Sequence, residues 1–251
     1  MISFLVALRE DPPGHRTRLF DFVRARLERE FPDDELVIAS DDGEDPFHKT
    51  LALNRAAHEA IGDVFCVLDA DTWCDPRQIR IAAAALREDP FRWWKPWREK
   101  LKLNEAATEE LLALGPEWNG ELDPRWRFEN RNTFWAAPPM LISRKAWHEV
   151  GGMDERIRGW GGDDEALSYA LRGLYGPGDI VQGQALHLWH PRPLGRSGRD
   201  RWAGQDAFGP NMPIVSAYRR ASRKREHMQA LIEARMSASP AVRETLGVRS
   251  R

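Results

Sequence analysis

The sequence contains few cysteines and no long apolar run, and both shortages limit what the chain can be. Its two cysteines, Cys66 and Cys74, have neither the spacing of a zinc site nor that of a disulfide framework. We therefore expect a protein of a reducing compartment, the cytoplasm. No apolar stretch approaches the roughly 20 residues that a transmembrane helix needs, so we expect no membrane span. Residues 1–8 lack the basic segment of a signal peptide and are interpreted as a strand.

A large excess of charge of either sign is also missing. The formal net charge is −2, so no global field would attract nucleic acid or an anionic membrane. The C-terminal part does contain a basic cluster, formed by Arg219, Arg220, Arg223, Lys224 and Arg225. Such a cluster usually forms the solvated face of a helix, and a phosphate or nucleic-acid role is the alternative.

Tryptophan is the one residue type in excess, with 11 in 251 residues. Some should lie in the core, but many stand beside polar or glycine residues, as they do in platforms that stack on sugar rings. Residues 91–131 are rich in tryptophan and fall outside a regular α/β pattern. We expect this stretch to be an inserted acceptor or lid segment over the sheet, with loops that carry specificity.

The first 90 residues alternate between short apolar runs and helical periodicity. Strands are predicted over 2–8, 36–40 and 64–68, and helices over 15–31, about 46–61 and 76–86. Asp75 is the expected N-cap of the third helix, and Pro76 fits its first turn. This alternation predicts an α/β fold with a parallel doubly wound sheet and right-handed crossovers.

The later part of the chain continues the pattern less regularly. We predict sheet-like sequence over 134–143, helices over 144–150 and from 163 to 174, and a last pair of strands over 180–182 and 185–190. A basic helix is predicted over 213–236. Residues 1–192 are therefore expected to form the catalytic domain, and residues 193–251 a flexible loop with a C-terminal helical extension.

The stretch around which the chain is organised is 64–73, where a buried strand runs into Asp69 and Asp71. Both carboxylates are expected at the carboxyl edge of the sheet, where open α/β sheets bind ligands. Hard oxygen ligands there suit a divalent cation that also holds phosphate oxygens. The alternative is a strand end with two solvated acids.

Two motifs give the sequence a family resemblance. Residues 54–57 together with 68–71 resemble the family 2 glycosyltransferases. Residues 151–155 followed by 159–164, Gly-Trp-Gly-Gly-Asp-Asp, resemble the C-terminal motif of the β-1,4-galactosyltransferases. The chain from residue 2 to about 192 is thus similar to nucleotide-sugar-dependent glycosyltransferases of the GT-A fold. That resemblance implies a Rossmann-like, mostly parallel sheet.

The resemblance also implies roles for particular residues. Asp71 would be a direct metal ligand, and Asp69 would contact the ribose of the donor. Asp41 would lie near the base and ribose, although its Asp-Asp-Gly sequence also favours a simple turn. Asp69 could likewise be a strand-end acid that accepts backbone hydrogen bonds. The full set expected to bind the nucleotide sugar is Arg9, Asp41, Asn54, Asp69, Asp71, Trp160, Gly161, Gly162 and Asp163.

His187 and His190 are further candidate metal ligands. Residues three apart on an extended strand face opposite sides, so both can ligate only if the strand turns or bulges. In the galactosyltransferase pattern both positions are ligands, and His190, before Pro191, is the stronger candidate. A structural histidine is the alternative. Imidazole beside carboxylate and diphosphate oxygens suits Mn²⁺ better than Mg²⁺.

Asp163 and Asp164 open a predicted helix, and the helix dipole alone would favour both acids there. That explanation does not account for Gly161 and Gly162, which let a ligand approach the backbone closely. In the resemblance, Asp164 aligns with the base that deprotonates the acceptor. The resemblance thus implies a metal-dependent inverting glycosyltransferase, with UDP as the expected nucleotide of the donor because it is the commonest in the family. Its acceptor hydroxyl could lie on a glycan, a protein or another molecule, and nucleic acid is a partner only as an acceptor.

Two other classes of protein share some of these features. A metal-dependent nucleotidyltransferase would have a similar sheet and acids, but it usually carries a glycine-rich first loop that residues 9–14 do not supply. A non-catalytic glycan-binding module would have no reason to combine Asp71, Asp164 and His190.

Overall fold

The computed structural model describes residues 1–9, 14–43, 46–159, 161–191 and 205–238, which form two β-sheets and the helices packed on them. The strands are β1 (Ile2–Ala7), β2 (Glu35–Ala39), β3 (Val64–Leu68), β4 (Thr72–Cys74), β5 (Trp93–Lys95), β6 (Glu99–Leu103), β7 (Phe128–Asn132), β8 (Met140–Ser143), β9 (Asp179–Ile180) and β10 (Gln184–His187). The helices are α1 (His15–Glu30), α2 (Lys49–Glu59), α3 (Pro76–Glu88), α4 (Glu105–Leu114), α5 (Arg144–Glu149), α6 (Asp163–Tyr175), α7 (Gln205–Ala221) and α8 (Arg225–Ala238).

The larger sheet has six strands in the order β2-β1-β3-β8-β5-β9. Strand β1 pairs in parallel with both β2 and β3, which confirms the prediction for the first three strands. Strand β8 is antiparallel to its neighbours β3 and β5, so the sheet is mostly parallel with one reversed strand. The sequence interpretation missed this reversal. The chain enters β8 from a loop after the antiparallel strand β7 and not from a crossover helix, so nothing constrains β8 to be parallel.

A second sheet of four strands, in the order β4-β10-β6-β7, was not predicted. Strand β10 pairs antiparallel with β4 and parallel with β6. The last two strands were expected to form a pair, but β9 belongs to the larger sheet and β10 to the smaller one. Because β3 and β4 are separated only by residues 69–71, the two sheets meet at the predicted acidic motif.

The helices begin where local chemistry predicts. The Asp75 carboxylate accepts a hydrogen bond of 2.8 Å from the backbone N–H of Arg77, so Asp75 caps α3 as expected. The helix predicted over 213–236 is instead two helices, α7 and α8, separated by a turn at 222–224. Both pack against α6, and the buried apolar side chains of this contact include Tyr218, Met228 and Ile232.

Most of the tryptophans belong to the core. Six are buried, namely Trp73, Trp93, Trp97, Trp118, Trp126 and Trp147. Trp97 is completely buried, and its indole N–H donates a hydrogen bond of 3.0 Å to the carbonyl of Pro139. The segment 91–131 supplies β5 to the larger sheet and β6 and β7 to the smaller one. The interpretation of its buried tryptophans as sugar-stacking platforms is therefore wrong, because the rings fill the space between elements of the fold.

Two compositional expectations can be compared with the structure. Within the described residues, no helix is long and apolar enough to cross a membrane. Cys66 and Cys74 are both free and buried. The division into a catalytic domain of 1–192 and an extension of 193–251 stays a prediction, as do the lid role of residues 91–131 and the cytoplasmic location.

The buried position of Trp97 predicts a large loss of stability on truncation. Trp97→Ala should lower the free energy of unfolding by about 3–5 kcal/mol, because it removes a fully buried indole and leaves a cavity. Urea unfolding measures the change, and the half-buried Trp94→Ala serves as a control that should cost less. An unchanged unfolding midpoint for Trp97→Ala would contradict the assignment of this ring to the core.

Candidate active site

The acidic motif lies in a tight connection between the two sheets. Strand β3 ends at Leu68, and the backbone N–H of Thr72 donates to the carbonyl of Asp69 over 3.1 Å as β4 begins. The carbonyl of Asp71 in turn accepts a hydrogen bond of 2.8 Å from the N–H of Leu188, just after β10. The motif is therefore held at the carboxyl edge of the central strand, as the sequence predicts.

Three side chains that can ligate a metal converge beside this connection. The Asp71 carboxylate lies 3.7 Å from Nε2 of His187 and 3.4 Å from Nε2 of His190. One ligand atom from each of the three side chains lies within 4.8 Å of the other two. His187 is opposite Thr72 in the pairing of β10 with β4, which brings its ring next to Asp71. The strand ends at His187, so the expected change of direction allows both imidazoles to face one carboxylate.

The protonation of the two imidazoles fits a metal site. Nδ1 of His187 lies 2.8 Å from the carbonyl of Leu188, and Nδ1 of His190 lies 3.0 Å from the carbonyl of Pro191. Since a carbonyl oxygen only accepts, each Nδ1 carries a proton, and each Nε2, on the side of Asp71, is the nitrogen through which the ring could ligate a metal. Burial lowers the pKa of His187, which favours the neutral ring that a metal requires. A carboxylate with two imidazoles suits a divalent first-row metal such as Mn²⁺.

A second cluster surrounds the ammonium group of Lys49, at the start of α2. Its Nζ lies 3.0 Å from Asp69, 3.1 Å from Asp163 and 3.2 Å from Asp164. Burial opposes the charge, but these carboxylates together raise the pKa of Lys49 well above its usual range. The lysine therefore stays charged and joins the acid that follows β3 to the two acids that open α6.

The acids around Lys49 are not equivalent. Burial and the charge of Asp163 raise the pKa of Asp164 well above its usual range, although Lys49 opposes the shift. The pKa of Asp69 is lowered despite burial, because the ammonium groups of Lys49 and Lys100 lie nearby. The side chain of Asp164 is 23% exposed and that of Asp163 only 8%. Asp164 is thus the more accessible carboxylate of the pair and more basic than an ordinary aspartate.

The turn before α6 depends on its glycines. Gly161 and Gly162 have φ angles of +91° and +94°, a left-handed conformation that side chains disfavour. Asp163 is the first residue of the helix that follows. The glycine pair therefore makes the sharp entry that places both acids against Lys49. Trp160, predicted to contact the donor, lies outside the described residues.

Comparison with known proteins gives a family match. Residues 42–149 match the model of glycosyl transferase family 2. This part of the chain is thus similar to a family 2 glycosyltransferase domain. The matched region contains Lys49, Asp69 and Asp71, but it ends before α6 and β10. The acids and histidines that complete the site come from the chain beyond it. No curated protein gives a significant match to the chain.

Solved structures with the GT-A fold are similar to this chain. The glucosyl-3-phosphoglycerate synthase of Mycobacterium tuberculosis has a TM-score of 0.50 and 15% identity, over 86% of this chain and 81% of that one. The same synthase with Mn²⁺, UDP-glucose and phosphoglyceric acid gives 0.48 and 15%, over 86% and 80%. The catalytic domain of Drosophila β1,4-galactosyltransferase 7, in complex with xylobiose, gives 0.40 and 15%. This chain spans only 63% of that domain, and the match covers 72% of this chain.

The contacts of Asp41 match the turn interpretation. Its carboxylate is 1% exposed and forms an ion pair with Arg9. It also accepts backbone hydrogen bonds from His48 at 2.9 Å and Gly43 at 3.4 Å. Although burial opposes the charge, Arg9 and these backbone groups lower the pKa of Asp41 to about 2. A carboxylate so enclosed does not reach a nucleotide, so a direct donor contact by Asp41 is not favoured. Arg9, 27% exposed, is the more accessible partner.

Asn54 requires a correction. The sequence interpretation assigns it to the donor site, but its side chain is completely buried. Its amide N–H groups donate to the carbonyl of Met153 at 3.1 Å and to the Glu155 carboxylate at 2.7 Å, and its oxygen accepts from the Met153 N–H at 2.8 Å. Asn54 therefore connects the 151–155 motif to α2 through hydrogen bonds. The two sequence motifs that carry the resemblance are in direct contact through it.

Sequence reasoning missed Lys49 and Lys100. Both lie on regular elements, Lys49 in the first turn of α2 and Lys100 in β6, where a lysine is ordinarily a solvated residue. The one available signal was indirect, because three carboxylates gathered in one site require a nearby cation. That signal does not say which of the 37 lysines and arginines supplies it.

Removing the charge of Lys49 should destabilise the fold in a pH-dependent way. Lys49→Met leaves three clustered carboxylates uncompensated, and we expect a loss of about 3 kcal/mol near pH 8. Without the ammonium group the folded-state pKa of these carboxylates rises above the unfolded value, so the variant takes up protons as the pH falls and the repulsion between the acids decreases. The difference from wild type should therefore shrink as the pH falls toward 4.

Thermal unfolding at several pH values measures this effect. The exposed Lys224→Met provides a matched control that should leave the melting temperature nearly unchanged at every pH. A Lys49→Met variant that is equally destabilised at pH 4 and pH 8 would contradict the electrostatic role.

Proposed function

We propose that this protein is a metal-dependent inverting glycosyltransferase that transfers a sugar from a nucleoside-diphosphate sugar to an acceptor hydroxyl. The observation that carries the proposal is the linkage of two clusters by Lys49. Asp69, two residues before the metal-ligand candidate Asp71, shares that lysine with Asp164. A donor held at the first cluster would thus lie next to a carboxylate of raised pKa.

Asp71, His187 and His190 are the residues that would hold a divalent cation, Mn²⁺ or Mg²⁺. When bound, such an ion would supply positive charge that stabilises the negative charge on the departing nucleoside diphosphate. The imidazole ligands favour Mn²⁺. We take UDP as the nucleotide because it is the commonest in the family, with Asp69 against its ribose. Gly161 and Gly162 would let the sugar approach the turn closely.

Asp164 is the proposed general base. Its carboxylate would accept the proton of the acceptor hydroxyl as the oxygen attacks the anomeric carbon from the face opposite the diphosphate. One displacement of this kind inverts the anomeric configuration. The raised pKa of Asp164 supports the role, since a base works best when its pKa is close to the working pH. Asp163, more enclosed, would fix the position of Lys49.

Release of nucleoside diphosphate tests the function directly. The protein is incubated with Mn²⁺ and a panel of UDP-, GDP- and dTDP-sugars, with glycans, peptides and small alcohols offered as acceptors. We expect release from one class of donor and a glycosylated acceptor. Release of pyrophosphate from a nucleoside triphosphate would instead indicate a nucleotidyltransferase. Glycan binding without turnover of any donor would indicate a binding module.

The metal assignment predicts the loss of nucleotide binding in two variants. Asp71→Ala and His190→Ala should each weaken Mn²⁺-dependent binding of UDP by at least about tenfold, because each removes a protein ligand of the ion. Calorimetric titration with and without Mn²⁺ measures the effect. The exposed His58→Ala is the matched control and should bind like wild type. Binding of wild-type strength in both ligand variants would exclude this metal site.

The base assignment predicts a loss of turnover with donor binding kept. Asp164→Asn retains the size of the side chain but not its basicity, so kcat should fall by roughly 10²–10⁴-fold. Asp163→Asn should reduce turnover less and stability more, because Asp163 is the more buried partner of Lys49. The anomeric configuration of the product, measured by NMR, should be inverted. A retained configuration, or near-normal turnover in Asp164→Asn, would overturn the mechanism.

A further inference from the structure

A side chain of the C-terminal helices forms hydrogen bonds with the turn that precedes the proposed base. Asn211, on α7, is only 2% exposed. Its amide Nδ2 donates to the carbonyl of Arg158 at 2.9 Å and to that of Gly161 at 2.8 Å, and its Oδ1 accepts from the N–H of Arg158 at 3.4 Å. One amide thus holds the backbone on both sides of position 160, and Gly161 lies two residues before Asp163.

The same helix lies directly against the entry to α6. A Cβ built on Gly162 would come within 2.7 Å of Cγ2 of Val215, one helical turn beyond Asn211. The glycine at 162 therefore serves two purposes. It adopts a left-handed φ, and it lets α7 approach the turn too closely for any side chain.

A second set of contacts fixes the start of the same loop. The buried guanidinium of Arg235, on α8, donates to the carbonyls of Val150 at 2.7 Å and Gly151 at 2.6 Å. It also donates to the hydroxyl of Tyr218 at 3.0 Å, which donates to the Asp154 carboxylate at 3.1 Å. Residues 150–162 are thus tied at both ends to helices that the family 2 match does not include.

From these contacts we infer that Asn211 is a positioning residue for Asp164 and acts through the turn before α6. The inference rests on the proposed function, because it concerns the carboxylate assigned there as base. Asp164 lies three residues after Gly161, whose carbonyl Asn211 holds. It belongs to α6, which is expected to move with the turn as a rigid unit. A displacement of about 1 Å at a reacting group costs on the order of 10²-fold in rate. Loss of the Asn211 amide would free the turn to make such a displacement.

Two variants of Asn211 separate positioning from stability. Asn211→Ala removes all three hydrogen bonds, and Asn211→Asp keeps the size while it places a carboxylate against two carbonyls. Both should lower kcat by roughly 10–100-fold, with UDP binding in the presence of Mn²⁺ close to that of wild type. The control is Met228→Ala, which removes a buried contact between α8 and Gly173 of α6 without touching the turn. It should lower the melting temperature at least as much as Asn211→Ala and leave kcat within twofold of wild type.

Hydrogen exchange adds a measurement that does not depend on glycosyl transfer. Peptides that cover 158–166 should exchange faster in both Asn211 variants and at the wild-type rate in Met228→Ala. If the exchange changes in this way but Asp164→Asn retains full turnover, the base assignment fails. The conclusion that Asn211 fixes the turn would still hold. Unchanged exchange with kcat within twofold of wild type would overturn the positioning role. An equal fall of kcat in Met228→Ala would also overturn it, since stability would then explain the loss.

Discussion

The site depends on one ammonium group, that of Lys49, placed among three carboxylates. Asp69, Asp163 and Asp164 come from two elements far apart in sequence, and without a cation between them their charges would repel. Burial of the lysine is costly, and the three ion pairs offset that cost. The arrangement leaves Asp69 ionised and Asp164 unusually basic, so one cation gives neighbouring acids different properties. This inequality permits a division of labour between donor binding and proton removal.

The second constraint is the short connection between the sheets. Residues 69–71 connect the last residue of β3 in the six-stranded sheet to β4 in the four-stranded sheet, where β10 pairs with β4. The proposed metal ligands thus come from this connection, with Asp71, and from the end of β10 and the residues after it, with His187 and His190. The family 2 match ends at residue 149, before β10, so Asp71 lies inside the matched region and the two histidines lie beyond it.

Local sequence predicted what local physics determines. The alternation of apolar runs and helical periodicity located the first three strands, and Asp75 marked the start of α3 because a cap needs only its own neighbours. The convergence of Asp71, His187 and His190 followed from the family resemblance, with the change of direction after β10 as its stated condition. The reversed strand β8 and the second sheet were missed, because pairing between distant segments leaves no local signal. Asn54 was misassigned for a related reason. A sequence motif does not distinguish an asparagine that forms buried hydrogen bonds within the fold from one that contacts a ligand.

The long loop before α6 shows how those distant contacts build the site. It contains several glycines and little regular structure, so its own sequence does not determine the place of the acids that follow. From the matched domain, Asn54 holds Met153, and the backbone carbonyl of Phe47 accepts from the N–H of Gly159 at 3.1 Å. From the opposite side, α7 and α8 hold the loop at both ends. A flexible backbone between two rigid supports can make the sharp, close-packed turn that a base beside Lys49 requires. The position of the Asp164 carboxylate is therefore determined by contacts from distant parts of the chain and not by its sequence motif alone.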